Sequence, residues 1–117
     1  MIRRQGTYEI TTREKMRGGR GTVKIESFWS SAELKDKTRL CARLTLEPGT
    51  SIGFHEHVGE AEVFIVIRGQ GQVSEGPGQP PVMVGAGDTI LTGDGCGHAI
   101  EAVGSEPLEI IAVIVRF

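Results

Sequence analysis

Long apolar stretches are missing from this chain. The clearest run, Ile110 to Val115, is far short of the ~20 residues that cross a bilayer as a helix. The opening residues, Met1-Ile2-Arg3-Arg4-Gln5-Gly6, hold no apolar core of signal-peptide length. Both absences lead to the expectation of a cytoplasmic protein with no membrane partner. Cysteine is scarce: Cys41 and Cys96 make at most one disulfide, and a reducing compartment would keep both as free thiols. Charge is nearly balanced, with 13 Lys and Arg against 15 Asp and Glu for a net −2, which by itself calls for no polyanionic partner. Recognisable catalytic pairings are also absent, with no nucleophile beside a base and no spaced general acid and base. At 117 residues the chain is one ordinary domain, which excludes a catalytic domain joined to a separate substrate domain.

Glycine is what the chain has in excess, 17 residues against 5 Pro. Glycine costs about 1 kcal/mol in a helix interior, so its recurrence excludes an all-α fold and points to short strands joined by tight turns. Strands are expected over Thr22–Trp29, Arg39–Leu46, Ser51–His57, Glu62–Arg68, Gln72–Glu75, Val82–Val84, Asp88–Thr92, His98–Val103 and Leu108–Phe117. Between most of them stand separators such as Gly69-Gln70-Gly71, Gly85-Ala86-Gly87 and Gly93-Asp94-Gly95. That pattern is all-β, a sandwich or barrel. Glu47-Pro48-Gly49-Thr50 has Pro and Gly in type II turn positions, and Ser30-Ser31-Ala32-Glu33 has capping-box spacing for a single helical turn. Val63–Ile67 and Ile110–Val115 are apolar on both faces, so a second subunit is expected to cover the outside of one sheet, making a homodimer.

Charge is unevenly distributed. Residues 1–24 carry seven basic side chains and two acidic ones, whereas His55 to Glu109 carry one basic residue, Arg68, and nine acidic ones. Residues 1–21 are accordingly read as an N-terminal basic arm, flexible or packed on a partner, and residues 22–117 as the barrel domain. A phosphate-contacting role for the arm is the weaker reading, and nucleic acid is not an expected partner. The acidic C-terminal half favours cations. Tyr8 and Trp29 read as core or arm anchors.

All three histidines fall among the acidic strands, at 55, 57 and 98. Residues two apart on a strand project from one face, so His55 and His57 can turn toward one ion. Glu62 opens the next strand and returns beside them, and His98 opens a later one. An N3O set of this kind suits Mn, Fe, Co, Ni or Zn; spacing alone leaves solvated surface groups as the alternative. The same parity puts Phe64 and Val66 on the face of Glu62, and Ile100 and Ala102 on the face of His98, as an apolar floor. Arg43 is left as a surface residue or a substrate clamp, and Cys96 as a bystander, an oxidation-sensitive thiol or an extra ligand. Glu56 and Glu60 are placed on the solvated rim.

Gly49-X5-His55-X-His57-X4-Glu62-X6-Gly69 resembles the first signature of the cupins at every fixed position. Gly87, Gly95 and His98 stand at their places in the second signature, with Gly93 where that family has Pro and Ala102 where it has Asn. The resemblance implies a double-stranded β-helix, or jelly-roll, barrel holding a divalent metal on His55, His57, Glu62 and His98. Within the cupins, Leu46–His57 and Leu108–Val115 are most similar to small single-domain proteins described as oxalate decarboxylase-like. True oxalate decarboxylases are two cupins in tandem with an Arg three residues before the first ligand His, where this chain has Ile52, so that activity does not carry over with the resemblance.

Four protein ligands leave an octahedral metal two adjacent positions for a bidentate oxygen ligand. The expected function is therefore a metalloenzyme acting on a small organic acid or similar ligand, by decarboxylation, isomerisation or dioxygenation. The alternative is a non-catalytic binding or storage module. Because imidazole binds metal only when neutral, occupancy is expected to fall as pH drops through about 6.

Overall fold

A computed structural model describes residues 1–117. Ten strands follow one another as β1 (Glu9–Glu14), β2 (Thr22–Ser27), β3 (Thr38–Leu46), β4 (Ser51–Glu56), β5 (Glu60–Arg68), β6 (Gln70–Ser74), β7 (Val82–Gly85), β8 (Thr89–Thr92), β9 (Gly97–Val103) and β10 (Leu108–Arg116). They make a six-stranded sheet, β1-β2-β3-β10-β5-β8, and a four-stranded sheet, β4-β9-β6-β7, antiparallel throughout. One core cluster draws on both sheets, with Leu44, Phe64, Val66 and Ile110 from the first against Ile52, Val73 and Ile100 from the second. This is the jelly-roll, double-stranded β-helix barrel. No helix is long and apolar enough to cross a membrane.

Alternation dictates which side chains are inside. On β3, Ala42, Leu44 and Leu46 are buried while Cys41, Arg43 and Thr45 face outward and are only partly covered, as a period of two requires. The turn before β4 closes with Thr50 N–H donating to the Glu47 carbonyl at 2.9 Å, with Gly49 at φ 86, the positive angle a type II turn demands. Ser30 and Glu33 form the reciprocal capping pair: Ser30 N–H donates to the Glu33 carboxylate at 2.8 Å and Glu33 N–H to Ser30 Oγ at 3.1 Å.

The expected strands all form, with ends shifted by a residue or two. β1 is the strand that the sequence did not announce. It lies inside residues 1–21, pairs with β2 from Glu9↔Ser27 to Glu14↔Thr22, and is exposed along its whole length. Glu-Ile-Thr-Thr-Arg-Glu offers no apolar alternation; the ladder to β2 alone makes it a strand. The arm is therefore no loose tail over this stretch. Its aromatic contacts hold it further: Tyr8 meets Phe28 edge to face at 4.9 Å, and the Arg3 guanidinium lies 4.5 Å over the Trp29 ring.

Candidate metal centre

The four residues singled out by spacing converge inside the barrel. β4 supplies His55, the residue just past its end is His57, β9 supplies His98, and β5 brings Glu62 across from the other sheet. His55 and His98 are direct partners in the β4–β9 ladder, but Ile52 pairs with Ile100, so β4 carries one extra residue between them. That bulge at Gly53 and Phe54 lets Ile52 and His55 both face inward, which strict alternation forbids.

The ligand atoms of the four all lie within 4.8 Å of one another. His98 Nε2 is 3.2 Å from the Nε2 atoms of both His55 and His57 and 2.9 Å from Glu62 Oε1, and His57 Nε2 is 3.1 Å from the same oxygen. His57 and His98 are each 1% exposed and Glu62 4%; His55 is partly exposed.

Each imidazole is also held from behind. His55 Nδ1–H donates to the Gly53 carbonyl at 2.8 Å, and His57 Nδ1–H donates to Glu60 at 2.9 Å. His98 Nδ1 lies 2.7 Å from Thr92 Oγ1, and the Phe64 ring stacks on the His98 ring at 4.8 Å. With their Nδ1 protons committed outward, His55 and His57 turn bare Nε2 lone pairs to the centre, beside a carboxylate. A single proton on His98 Nε2 serves one of these three acceptors and leaves the others facing each other unsatisfied in a buried site, which is costly. One cation satisfies all of them. Separations of 2.9–3.2 Å also match neighbouring ligands about 2.1 Å from a shared ion, which stand about 3.0 Å apart in an octahedral shell. The cluster is suited to hold a metal.

Electrostatics prepares it for that task. Burial, more than any neighbour, pushes His55 below the ordinary histidine value, against the opposing hydrogen bond to the Gly53 carbonyl, and the nearby charge of Arg17 adds to the downward shift. Glu60 is pulled down to about 2, first by the fork of hydrogen bonds from Arg39 at 2.8 Å, so it stays ionised behind His57.

Some expectations change here. Glu60 is not a solvated rim residue: it is largely covered, wedged between Arg39 and His57. Its place beside the ligand residues suggested the rim, but its pairing with Arg39 depends on β3 lying nearby, which spacing does not reveal. Thr92, the cross-strand partner of Glu62, was likewise invisible in the sequence. Arg43 is no substrate clamp; it lies on the outer face, bidentate on buried Glu26 at 2.9 and 3.1 Å, and holds that carboxyl below its usual range. Cys96 is exposed and stands outside the cluster, as does exposed Glu56. Phe64 lines the cavity, whereas Val66, Ile100 and Ala102 are buried in the core without lining it.

A cavity of about 180 Å3 opens over His55, His57 and Glu62. Met16, Leu40, Leu44, Ile52, Phe64 and Ile114 give it apolar walls, and Arg13, Arg17 and Arg39 its cationic ones.

Comparison with known proteins agrees with this architecture. A family model described as Cupin domain matches residues 42–114. A relative named oxalate-binding protein, from Thermotoga maritima, is 39% identical over 100 residues, spanning 86% of this chain and 81% of its own. The crystal structure of a predicted oxalate decarboxylase from the same organism superposes with a TM-score of 0.94 at 35% identity, each chain covered to 100%. A cupin-like protein, also from Thermotoga maritima, gives 0.73 at 25% identity over 83% of this chain and 71% of that one.

Proposed function

This chain belongs to the cupin family, and on that premise we propose that it captures a small organic acid of the oxalate class at a divalent metal held by His55, His57, Glu62 and His98. The observation that carries the reading is the meeting of three imidazoles and one carboxylate whose lone pairs have no common partner but a cation. The donor set suits Mn, Fe, Co, Ni or Zn. Such an ion supplies Lewis acidity toward ligand oxygens. The relative named for oxalate binding supports the ligand class, and a cavity of about 180 Å3 has room for a compact acid.

The chain's own residues bind and orient. Gly53, Glu60 and Thr92 fix the three rings, and the apolar walls keep water from the ligand. Apart from the four ligands, the cavity wall holds arginines and apolar side chains, with no carboxyl, thiol, phenol or further imidazole to move a proton. Binding is thus the function these residues supply unaided, ahead of decarboxylation, isomerisation or dioxygenation. Calorimetric titration of the Mn(II)-loaded protein with oxalate should give one oxalate per metal, lost when the metal is stripped. Equal binding without metal, or none with it, would reject the proposal; release of CO2 from oxalate under air would move the assignment to an enzyme.

We place the protein in the cytoplasm, where Cys41 and Cys96 remain thiols, and pair it with a second copy. Cys41, Val113, Val63 and Leu91 lie in register across the outside of β3, β10, β5 and β8. Leu91 is 68% exposed and Ile67 41%. Such a band is what a homodimer buries, and light scattering behind gel filtration should read twice the 12.6 kDa chain mass.

A further inference from the structure

The basic arm reaches the cavity, and nothing in the metal centre uses it. Arg13 stands opposite Val23 in the β1–β2 ladder. Opposed residues share a face, and Val23 is buried in the core, so Arg13 is on the cavity side of the sheet. The chain then enters a tight 3-10 turn, Met16–Gly18, with Lys15 at φ 48 and Arg17 at φ 55. Two non-glycine residues in the left-handed region are unfavourable, and such strain persists only where the surroundings over-determine it.

Here they do. Lys15 N–H donates to the Gly21 carbonyl at 2.8 Å, closing the loop, and Ser51 N–H donates to the Arg20 carbonyl at 2.9 Å while Arg20 N–H donates to Ser51 Oγ at 2.9 Å. These bonds seat the turn on β4, the strand that carries His55. The approach is so close that a methyl at Gly53 would overlap the Arg17 carbonyl, and one at Gly19 the Ser51 carbonyl. The turn is thereby fixed with Arg17 and Met16 over the same cavity as His55, His57 and Glu62.

Charge decides what this arrangement is for. The chain's arginine ion pairs are Arg3–Glu33, Arg20–Glu101, Arg39–Glu60, Arg43–Glu26 and Arg68 with Glu106 and Glu109. Arg13 and Arg17 belong to none of them. Two unpaired guanidiniums thus face a small cavity whose one carboxylate, Glu62, is turned toward the imidazoles. Guanidinium forks match carboxylate oxygens two at a time.

We propose that Arg17, assisted by Arg13, clamps the outward oxygens of a short dicarboxylate, making the arm the element that selects oxalate-sized dianions over monocarboxylates. The proposal rests on the organic-acid reading above and assigns a specificity residue to that site. It is tested with the Mn(II)-loaded full chain, titrated calorimetrically with oxalate and with glycolate as the monocarboxylate. Arg17→Gly removes the guanidinium yet accepts the left-handed backbone, so it should keep one equivalent of Mn, melt no lower than wild type, and bind oxalate at least about tenfold more weakly. Glycolate should weaken far less, so the preference for the dianion shrinks; Arg13→Gln should show the same change, smaller. Oxalate affinity untouched by both substitutions would overturn the clamp alone, leaving the organic-acid reading in place. Loss of Mn in Arg17→Gly would also overturn it, since the turn would then position His55 and not the ligand. A wild-type protein that holds Mn but binds neither acid would overturn the organic-acid reading and the clamp together.

Discussion

The floor of the cavity and its rim are built from different kinds of structure. Glu62 and His98 stand on β5 and β9, which have a strand on either side, and the three imidazoles each have a second partner behind the ring. Arg13 stands on β1, an edge strand exposed along its length, and Arg17 in a turn held by backbone hydrogen bonds and by glycine contacts with β4. Side chains at the floor are thus fixed by burial and hydrogen bonds, whereas at the rim the backbone is fixed and the guanidiniums are left without partners. Such a division suits a site that must hold its ion permanently and its ligand in passing, because preorganised ligands favour retention while unpaired charges gain a partner only when an anion arrives.

The most severe way to break the floor is His98→Ala. His98 Nε2 is in contact with all three of the other ligand atoms, so stoichiometric metal should vanish, read by plasma mass spectrometry on the purified protein. Wild-type metal content would show that the cluster is not the metal site. Removing a partner from behind a ring tests the same region more gently. Glu60→Ala frees both His57 Nδ1–H and Arg39, and loss of such a partner typically weakens metal binding about 10–100-fold, measurable by competition with a chelator; unchanged affinity would deny Glu60 its positioning role. Acid should act on the floor in the same graded way. Burial holds the His55 pKa below the ordinary histidine value of 6.5, so the ring is mostly neutral at pH 6.5, and Glu60, at about 2, keeps its charge there. Metal should accordingly survive dialysis at pH 6.5 and leave only at lower pH; release at or above 6.5 would contradict the assigned burial.

The join between the two regions is Gly53, whose carbonyl receives His55 Nδ1–H and whose α-carbon lies against the Arg17 carbonyl. Gly53→Ala puts a methyl where backbone already stands, so the turn must move, at a cost of about 1–3 kcal/mol by analogy with overpacked cores. If floor and rim are separable, the variant retains one equivalent of metal while its melting temperature and oxalate affinity fall. Loss of metal as well would show that the rim is part of the floor.

The same contrast explains what was legible in the sequence. Period-two alternation located the strands from β2 to β10 and the inward faces bearing Phe64 and Ile100, because burial leaves an apolar imprint every second residue. The meeting of His55, His57, Glu62 and His98 was readable because the three histidines have few alternatives and the cupin resemblance supplies their order. β1 left no such imprint, since its residues are exposed and only its ladder makes it a strand. Glu60, Thr92 and Arg17 were missed for a related reason: each acts through a neighbour on another strand, Arg39 on β3, His98 on β9 of the opposite sheet, or the backbone of β4, and pairings of that kind are fixed by topology and not by local pattern. The six basic residues of the arm were visible as charge, but only the β1 register and the left-handed turn show that two of them line the cavity.

The gentlest test concerns strain in the rim apart from its charge. Lys15 sits at φ 48 with its N–H donating to the Gly21 carbonyl, and its side chain does not line the cavity. A left-handed residue with a Cβ costs about 1–2 kcal/mol, and glycine gives back about 0.5–1 kcal/mol through the freer unfolded chain. Lys15→Gly keeps the hydrogen bond, so it should stabilise the fold by about 1 kcal/mol at most, a rise of a few degrees in Tm, with metal content and oxalate affinity unchanged. The pairing with Arg17→Gly is what makes this small effect informative. Both substitutions relieve the same kind of backbone strain in one turn, but only the second removes a charge from the cavity. An oxalate affinity that drops in Arg17→Gly and not in Lys15→Gly therefore assigns the loss to the guanidinium; an equal drop in both would assign it to the shape of the turn.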